Sequence, residues 1–556
     1  MKNIRFIAAF TLIVLMAGPS CQKFNLNTDD LDMKINLDVI KTSITIQFRD
    51  ANTDELVGME NGQQVAISIF GPDSQWVVNT SGERKAYYFS AAGFAKVGLD
   101  PYNAKPTPAD PVKFTVVAEL GGFLATSLPV NLMAEGTHDF VIKMVQIASP
   151  PDGVDISVKD NITTASNGRL SNDLIVTTDN SDVKVTLPSG TEMTDINGNK
   201  LQGDLDVVVA HFNPTEEEAL SAFPGGLDVD VTTQSGSQAN GVFVSAGFVA
   251  IEITDASGRK ASNFTNGQLN LNAPIDPGVI NPETGLPVQA GDQIPLWSYN
   301  TKTGQWAYET TVTSFATPSG LRTEAQLSHL SYWNLDWLEA ACAFVELFFT
   351  SSDQTKTGEG GWGYGIYFYA TLAGSNQFRT DGYFSGYPEP TGTRTENNTE
   401  VLQSVPLNRQ VTITFYYPDG TTPLWNLPAP ITYDLCASSP IEIPLTPNPD
   451  ATGGGGNQTL TISFDITIEC IDNPGIAVTP NDVLLRYRQK GSSSWSFVTA
   501  SLGKFIVAGL IPGKVYEVQA LYNNEWTPAP PFEYTVEPST ETQVSKSITF
   551  QVECGG

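Results

Sequence analysis

The chain has 556 residues and a formal net charge of −30, with 60 Asp and Glu against 30 Lys and Arg. Recognition of a phosphate backbone needs clustered Lys and Arg, so nucleic acid is excluded as a partner. The acids are dispersed, which suits a self-repelling surface better than a cation cage, and the length suffices for roughly three to five domains.

Lys2 and Arg5 precede an uncharged apolar run at residues 6–17. This is the order of the n- and h-regions of a signal peptide. Gly18, Pro19, Ser20 and Cys21 follow. A small residue before a cysteine, directly after such a run, resembles a bacterial lipoprotein cleavage site, although Gly18 stands where Leu is usual. The resemblance implies removal of residues 1–20 and a lipid on Cys21. The exported protein would then be anchored in the outer membrane, facing the cell surface or the periplasm. Residues 21–40 are polar and read as a tether. Beyond the leader no run of 18 apolar residues occurs; the best stretch, 337–349, carries Glu339 and Glu346.

From residue 41 onward the chain reads as β. Segments such as "SITIQFRD" (43–50), "DLDVVVAHF" (204–212) and "QVTITFYY" (410–417) are short, rich in β-branched and aromatic residues, and alternate. The 48 Gly and 36 Pro supply the turns between them. The expected fold class is all-β, with tandem β-sandwich domains at 41–149, 150–338, 341–446 and 459–556. "PNPDATGGGGNQ" (447–458) is the linker before the last domain. One helical turn is expected in "NPTEEEALSAF" (213–223), where Thr215 caps and Glu218 has capping-box spacing. "DINGNKLQGD" (195–204) comes nearest to a calcium loop but lacks its sixth-position glycine, and reads as a turn between strands.

The segment "LSHLSYWNLDWLE" (327–339) contains one of only three histidines. Alternation puts His329, Ser331, Trp333, Leu335 and Trp337 on one side, and Leu330, Tyr332, Asn334 and Asp336 on the other. A histidine beside two core tryptophans is expected to be structural. His138 and His211 fall in other surroundings, so a three-histidine metal site is not expected, and no cofactor is implied.

Five cysteines are an odd number for an exported chain. Assigning Cys21 to lipid leaves Cys342, Cys436, Cys470 and Cys554, two per candidate domain. Locality pairs Cys342 with Cys436 and Cys470 with Cys554, one of three possible pairings.

The chain lacks the catalytic signatures G-x-S-x-G, H-E-x-x-H and C-x-x-C. "GEGGWG" (358–363) precedes an aromatic strand instead of opening a helix, so it forms no phosphate cradle. Nothing selects a glycosidase pair from 60 acids. The stretch 360–390 offers the clearest binding feature. Alternation sends Tyr364, Ile366 and Phe368 to one face and Tyr367 and Tyr369 to the other. Trp362, Tyr367, Tyr369, Tyr383 and Tyr387 would stack on sugar rings or a protein partner if that face is open; a neighbouring domain covering it is the simpler expectation.

Three resemblances follow from these segments. "LLRYRQKGSSSW" (484–495) and "FIVAGLIPGKVYEVQALYNNEW" (505–526) resemble fibronectin type III domains. The resemblance implies a corner built by Tyr516 and a buried Trp495. "VTLPSGTEMTDINGNKLQGDLDVVV" (185–209), "FPGGL" (223–227), "SAGFVAIEITDASGRK" (245–260), "IPLWSYNTKTGQW" (294–306) and "HLSYWNLDW" (329–337) resemble the central region of cartilage intermediate layer proteins. That likeness implies an extracellular β scaffold and places no catalytic residue. Residues 41–147 resemble carboxypeptidase regulatory-like sandwiches, while 341–446 resembles no family. The expected function is a lipid-anchored, non-enzymatic scaffold that binds or adheres to proteins at the envelope. The alternatives are glycan binding through 360–390 and a hydrolase in 341–446.

Overall fold

The computed structural model describes residues 41–552, except 59–62, 80–83, 91–92, 165–166, 301–303, 353–365, 385–387, 396–397, 418–424, 448–459, 471–476, 479–481, 493–494, 502–503, 523–524 and 538–542. Those residues form four all-β modules, each with its own apolar core. Alternation directs the packing. In strand Thr42–Asp50, Ile44, Ile46 and Phe48 enter the core of the first module, and the opposite face, Ser43, Thr45 and Gln47, is buried too.

Three of the four modules repeat one topology. In the first, the opening strand Thr42–Asp50 lies antiparallel to Phe94–Leu99 and parallel to the closing strand Gly136–Met144. In the third, Ala341–Ser351 lies antiparallel to Thr399–Pro406 and parallel to Ile441–Pro447. In the fourth, Leu460–Cys470 lies antiparallel to Lys504–Leu510 and parallel to Gln543–Val552. A second set of strands repeats as well. Ala66–Phe70 sits between Tyr88–Phe89 and Val112–Glu119. Ile366–Leu372 sits between Arg379–Phe384 and Gln410–Tyr416, and Asp482–Gln489 between Ser496–Ser501 and Val515–Tyr522. A parallel pairing of opening and closing strands sends the chain in at one end of a module and out at the other, which lets modules follow one another in line.

The second module is larger. A seven-stranded sheet (Asp228–Thr232, Gln305–Thr313, Gln293–Asn300, Tyr332–Glu339, Gln238–Asp255, Asp204–Phe212, Val154–Thr163) packs on a five-stranded one. The Tyr332–Glu339 strand runs through the middle of the larger sheet. Trp333, Leu335 and Trp337 join the core between the sheets, whereas Tyr332 joins a second core on the outer face. That second core is shared between modules. It takes Ala51, Leu124 and Val145 from the first and Phe378 from the third. A sheet with two apolar faces must be covered on both, and here neighbouring modules supply the second cover.

Two local expectations are corrected. The helix runs over Glu217–Ser221 with Glu216 at its N-cap and no side-chain cap. Thr215 instead donates its hydroxyl to Asn213 Oδ1 at 2.9 Å, so the Asn213 side chain has captured the residue expected to cap. Trp495 is not buried in the core of the fourth module. Leu485 and Tyr487 point into that core, so Arg486 and Arg488 face out, and Trp495 stacks on them at 4.4 and 4.2 Å. Tyr516 does form a corner: its hydroxyl accepts from the Ile511 amide at 3.2 Å.

Candidate interaction site

The joint between the first two modules is built from resemblance segments. In "FPGGL", the Gly225 amide donates to Ser127 O at 3.0 Å. Gly225 has φ +85°, and a Cβ there would lie 2.8 Å from the Tyr299 ring, so both backbone and space call for glycine. The Tyr299 and Ser127 hydroxyls are 2.7 Å apart. Nearby, the Tyr332 hydroxyl donates to Ala125 O at 2.9 Å and contacts Glu252 Oε1 at 2.6 Å. Lys260 reaches across to Glu119 of the first module at 2.9 Å.

The second joint centres on Gln377. Strand Gln238–Asp255 is bulged between Ser245 and Phe248, which interrupts its ladder and leaves main-chain groups to be satisfied elsewhere. Gln377 satisfies them: its main-chain carbonyl accepts from the Ser245 amide at 2.8 Å, and its side-chain Nε2 donates to Ser245 O at 3.0 Å. The side-chain amide also pairs with Ile280, Oε1 accepting from its N–H at 2.7 Å and Nε2 donating to its O at 3.0 Å. Phe378 next to it is fully buried in the shared core. Behind the bulge, burial pushes Asp336 up to about 8; hydrogen bonds from Ser245 and Asn334 offset this only in part.

Strand Ile366–Leu372 alternates as expected, with Ile366, Phe368 and Ala370 buried. The other face is occupied. The Arg379 guanidinium covers the Tyr369 ring at 4.0 Å, and Arg379 is held by Asp381 at 2.7 Å and reaches helix Glu217–Ser221 through Glu217 O at 3.4 Å. Tyr367 lies 5.8 Å from Arg49 of the first module and is raised above its usual pKa chiefly by burial. Tyr367 and Tyr369 are therefore half-buried joint residues, not an open stacking row. Tyr383 pairs in register with Tyr367. Trp362 and Tyr387 lie outside the described residues, as does the "GEGGWG" segment.

Where the first three modules meet, a cleft of about 1150 Å³ opens. Strand Gly136–Met144 of the first module and strand Arg379–Phe384 of the third line it, with Tyr367, Tyr416, Phe344 and Val401. Phe344 and Val401 remain 40% and 39% exposed. Glu400 also lines the cleft, and burial, aided by Asp139, pushes it up to about 8. It stays half-exposed because the cleft reaches it.

The three histidines serve different surroundings. His329 lies 3.6 Å from Glu309 and meets the Trp333 ring at a tilt, centroids 5.0 Å apart. His211 is buried and held down to about 4 by desolvation. His138 Nε2 is 3.0 Å from Ala134 O at the cleft. Among the described residues no group of three His, Cys, Asp or Glu is placed to hold a metal. In the "DINGNKLQGD" turn, Asp195 Oδ1 accepts from the Asn197 and Asn199 amides at 2.9 and 2.8 Å. A disulfide joins Cys342 to Cys436, with Cα atoms 5.8 Å apart. Cys470 ends its strand, while Cys554 and Cys21 lie outside the described residues.

No family model and no curated protein matches the chain. Among solved structures it is similar to the major pilin SpaD of Corynebacterium diphtheriae, at 8% identity over 93% of this chain and 98% of that one, with a TM-score of 0.14. It is also similar to two B repeat units of the collagen-binding protein of Staphylococcus aureus, at 9% identity over 87% and 94%, with a TM-score of 0.13. The minor pilin GBS52 of Streptococcus agalactiae aligns at 10% identity over 38% and 94%, with a TM-score of 0.14. At such TM-scores the likeness carries no weight for arrangement or function.

Proposed function

We propose that this chain is an exported, lipid-anchored scaffold that works by binding protein partners at the cell envelope. The observation that carries the reading is the shared core. Residues of three modules bury one another's apolar surface, and Gln377 ties the third module into the bulge of the second. A fixed block of this kind presents a preformed surface, which lowers the ordering cost of association. The leader and Cys21 support an anchored location, and the polar stretch 21–40 supports a tether that holds the block away from the membrane. The corner at Tyr516 supports a spacer or binding role for the fourth module, as the fibronectin type III resemblance implies.

The test is photo-crosslinking in cells. A photoreactive residue at Val401, in the cleft, should give discrete protein adducts in the membrane fraction. The same residue at exposed Ile196 should not. Fatty-acid labelling run beside it should mark the wild-type protein and not Cys21→Ser. Absence of any cleft-specific adduct overturns the binding role, and an unlabelled mature protein overturns the anchor.

A further inference from the structure

We propose that the three-module cleft takes an extended, cationic peptide segment of a partner protein, added as a strand to the edge of Gly136–Met144; this rests on the protein-binding reading above. Strand Gly136–Met144 ends its sheet, and residues along most of its length line the cleft. A terminal strand offers a row of main-chain donors and acceptors, the standard template for strand addition.

The fold itself shows that this position accepts a neighbour. The topologically equivalent closing strand of the third module, Ile441–Pro447, carries one: Trp425 and Asn426 pair with Pro447 and Thr446 on it. Among the described residues, the first module has no such strand in its sheet.

The cleft walls specify the side chains. Alternate residues of an added strand point to opposite sides. Phe344 and Val401 are exposed apolar groups within the cleft, suited to small β-branched residues. Charge favours cations. The basic groups of the cleft already have carboxylate partners: Arg49 and Lys143 contact Asp54, Arg379 contacts Asp381, and Arg394 contacts Glu346. By count, six acids line the cleft, Glu135, Asp139, Asp228 and Glu400 among them, against four Lys and Arg, and five acids still outnumber the cations with Glu400 protonated. A cationic side chain placed beside Asp139 and Glu400 would be favoured there.

The probe is a ten-residue peptide alternating Val and Lys, titrated by fluorescence polarisation into the intact chain. Binding is expected to weaken at least tenfold when alternate peptide amides are N-methylated, which keeps every side chain and charge but removes ladder donors. It should weaken similarly when Lys is replaced by Glu, and several-fold with Glu135→Gln in the protein. Equal binding of the N-methylated peptide overturns strand addition, and equal binding of the Glu peptide overturns the charge preference. If no peptide binds while Val401 still gives protein adducts in cells, this inference falls and the scaffold reading stands. Occupancy of the cleft by a neutral oligosaccharide in place of peptide also overturns it.

Discussion

Single residues carry much of the joint chemistry. Asp336 is fully buried and its pKa is raised to about 8 from an ordinary 3.8. An acid whose folded pKa is raised holds its proton in the folded state where the unfolded chain has lost it. Stability therefore falls as pH rises from the unfolded value to the folded one. Melting temperature is expected to drop by roughly 5 °C between pH 5 and pH 8, and Asp336→Asn should flatten that slope. A slope unchanged in the variant assigns it elsewhere, Glu400 being the other acid raised to about 8. Gly225 makes a second prediction. With φ +85° and a Tyr299 ring in the way, Gly225→Ala should cost about 2 kcal/mol in denaturant unfolding. His329 sits between Glu309, 3.6 Å away, and the tilted Trp333 ring, 5.0 Å away.

At the scale of elements, alternation was legible and docking was not. "HLSYWNLDW" showed which side chains share a face, and Trp333, Leu335 and Trp337 do meet in one core. The same period-two reading separated Phe368 from Tyr367 and Tyr369. It did not show that Arg49 and Arg379 lie against those rings, because these contacts join residues far apart in the chain. Gln377 gave no signal at all. It is one polar residue in a turn, and its value comes from a bulge more than a hundred residues earlier. Trp495 departs from expectation for a related reason: the fibronectin type III resemblance implied burial, but its neighbours across the strand, Arg486 and Arg488, hold it outside by cation–π stacking. Phe378→Ala should cost about 3–5 kcal/mol, the usual range for emptying a large aromatic from a core. Gln377→Ala should cost less, about 1–3 kcal/mol, for the main-chain groups of Ser245 and Ile280 left without its side-chain amide. Gln377→Ala should raise hydrogen exchange at Ile280, whose amide donates to the lost side chain, more than at Ser245, whose amide donates to the retained Gln377 main-chain carbonyl; Ile280 exchange that stays at the wild-type level would remove the Gln377 side chain from the joint.

At the scale of the molecule, one topology is used three times, in modules whose sequences show no common motif. Alternating strands of similar length reach the same pairing by burying similar faces, so the repetition is written in pattern and not in residues. The larger second module departs from it and acts as the hub, with its outer sheet face covered by both neighbours. Differential scanning calorimetry of the mature chain tests this most directly. The first three modules should unfold in one cooperative transition, which Phe378→Ala splits or broadens, while the fourth, whose core among the described residues is drawn from its own segment, melts separately. Independent transitions for the first, second and third modules in the wild-type protein would contradict the shared core as the basis of the scaffold.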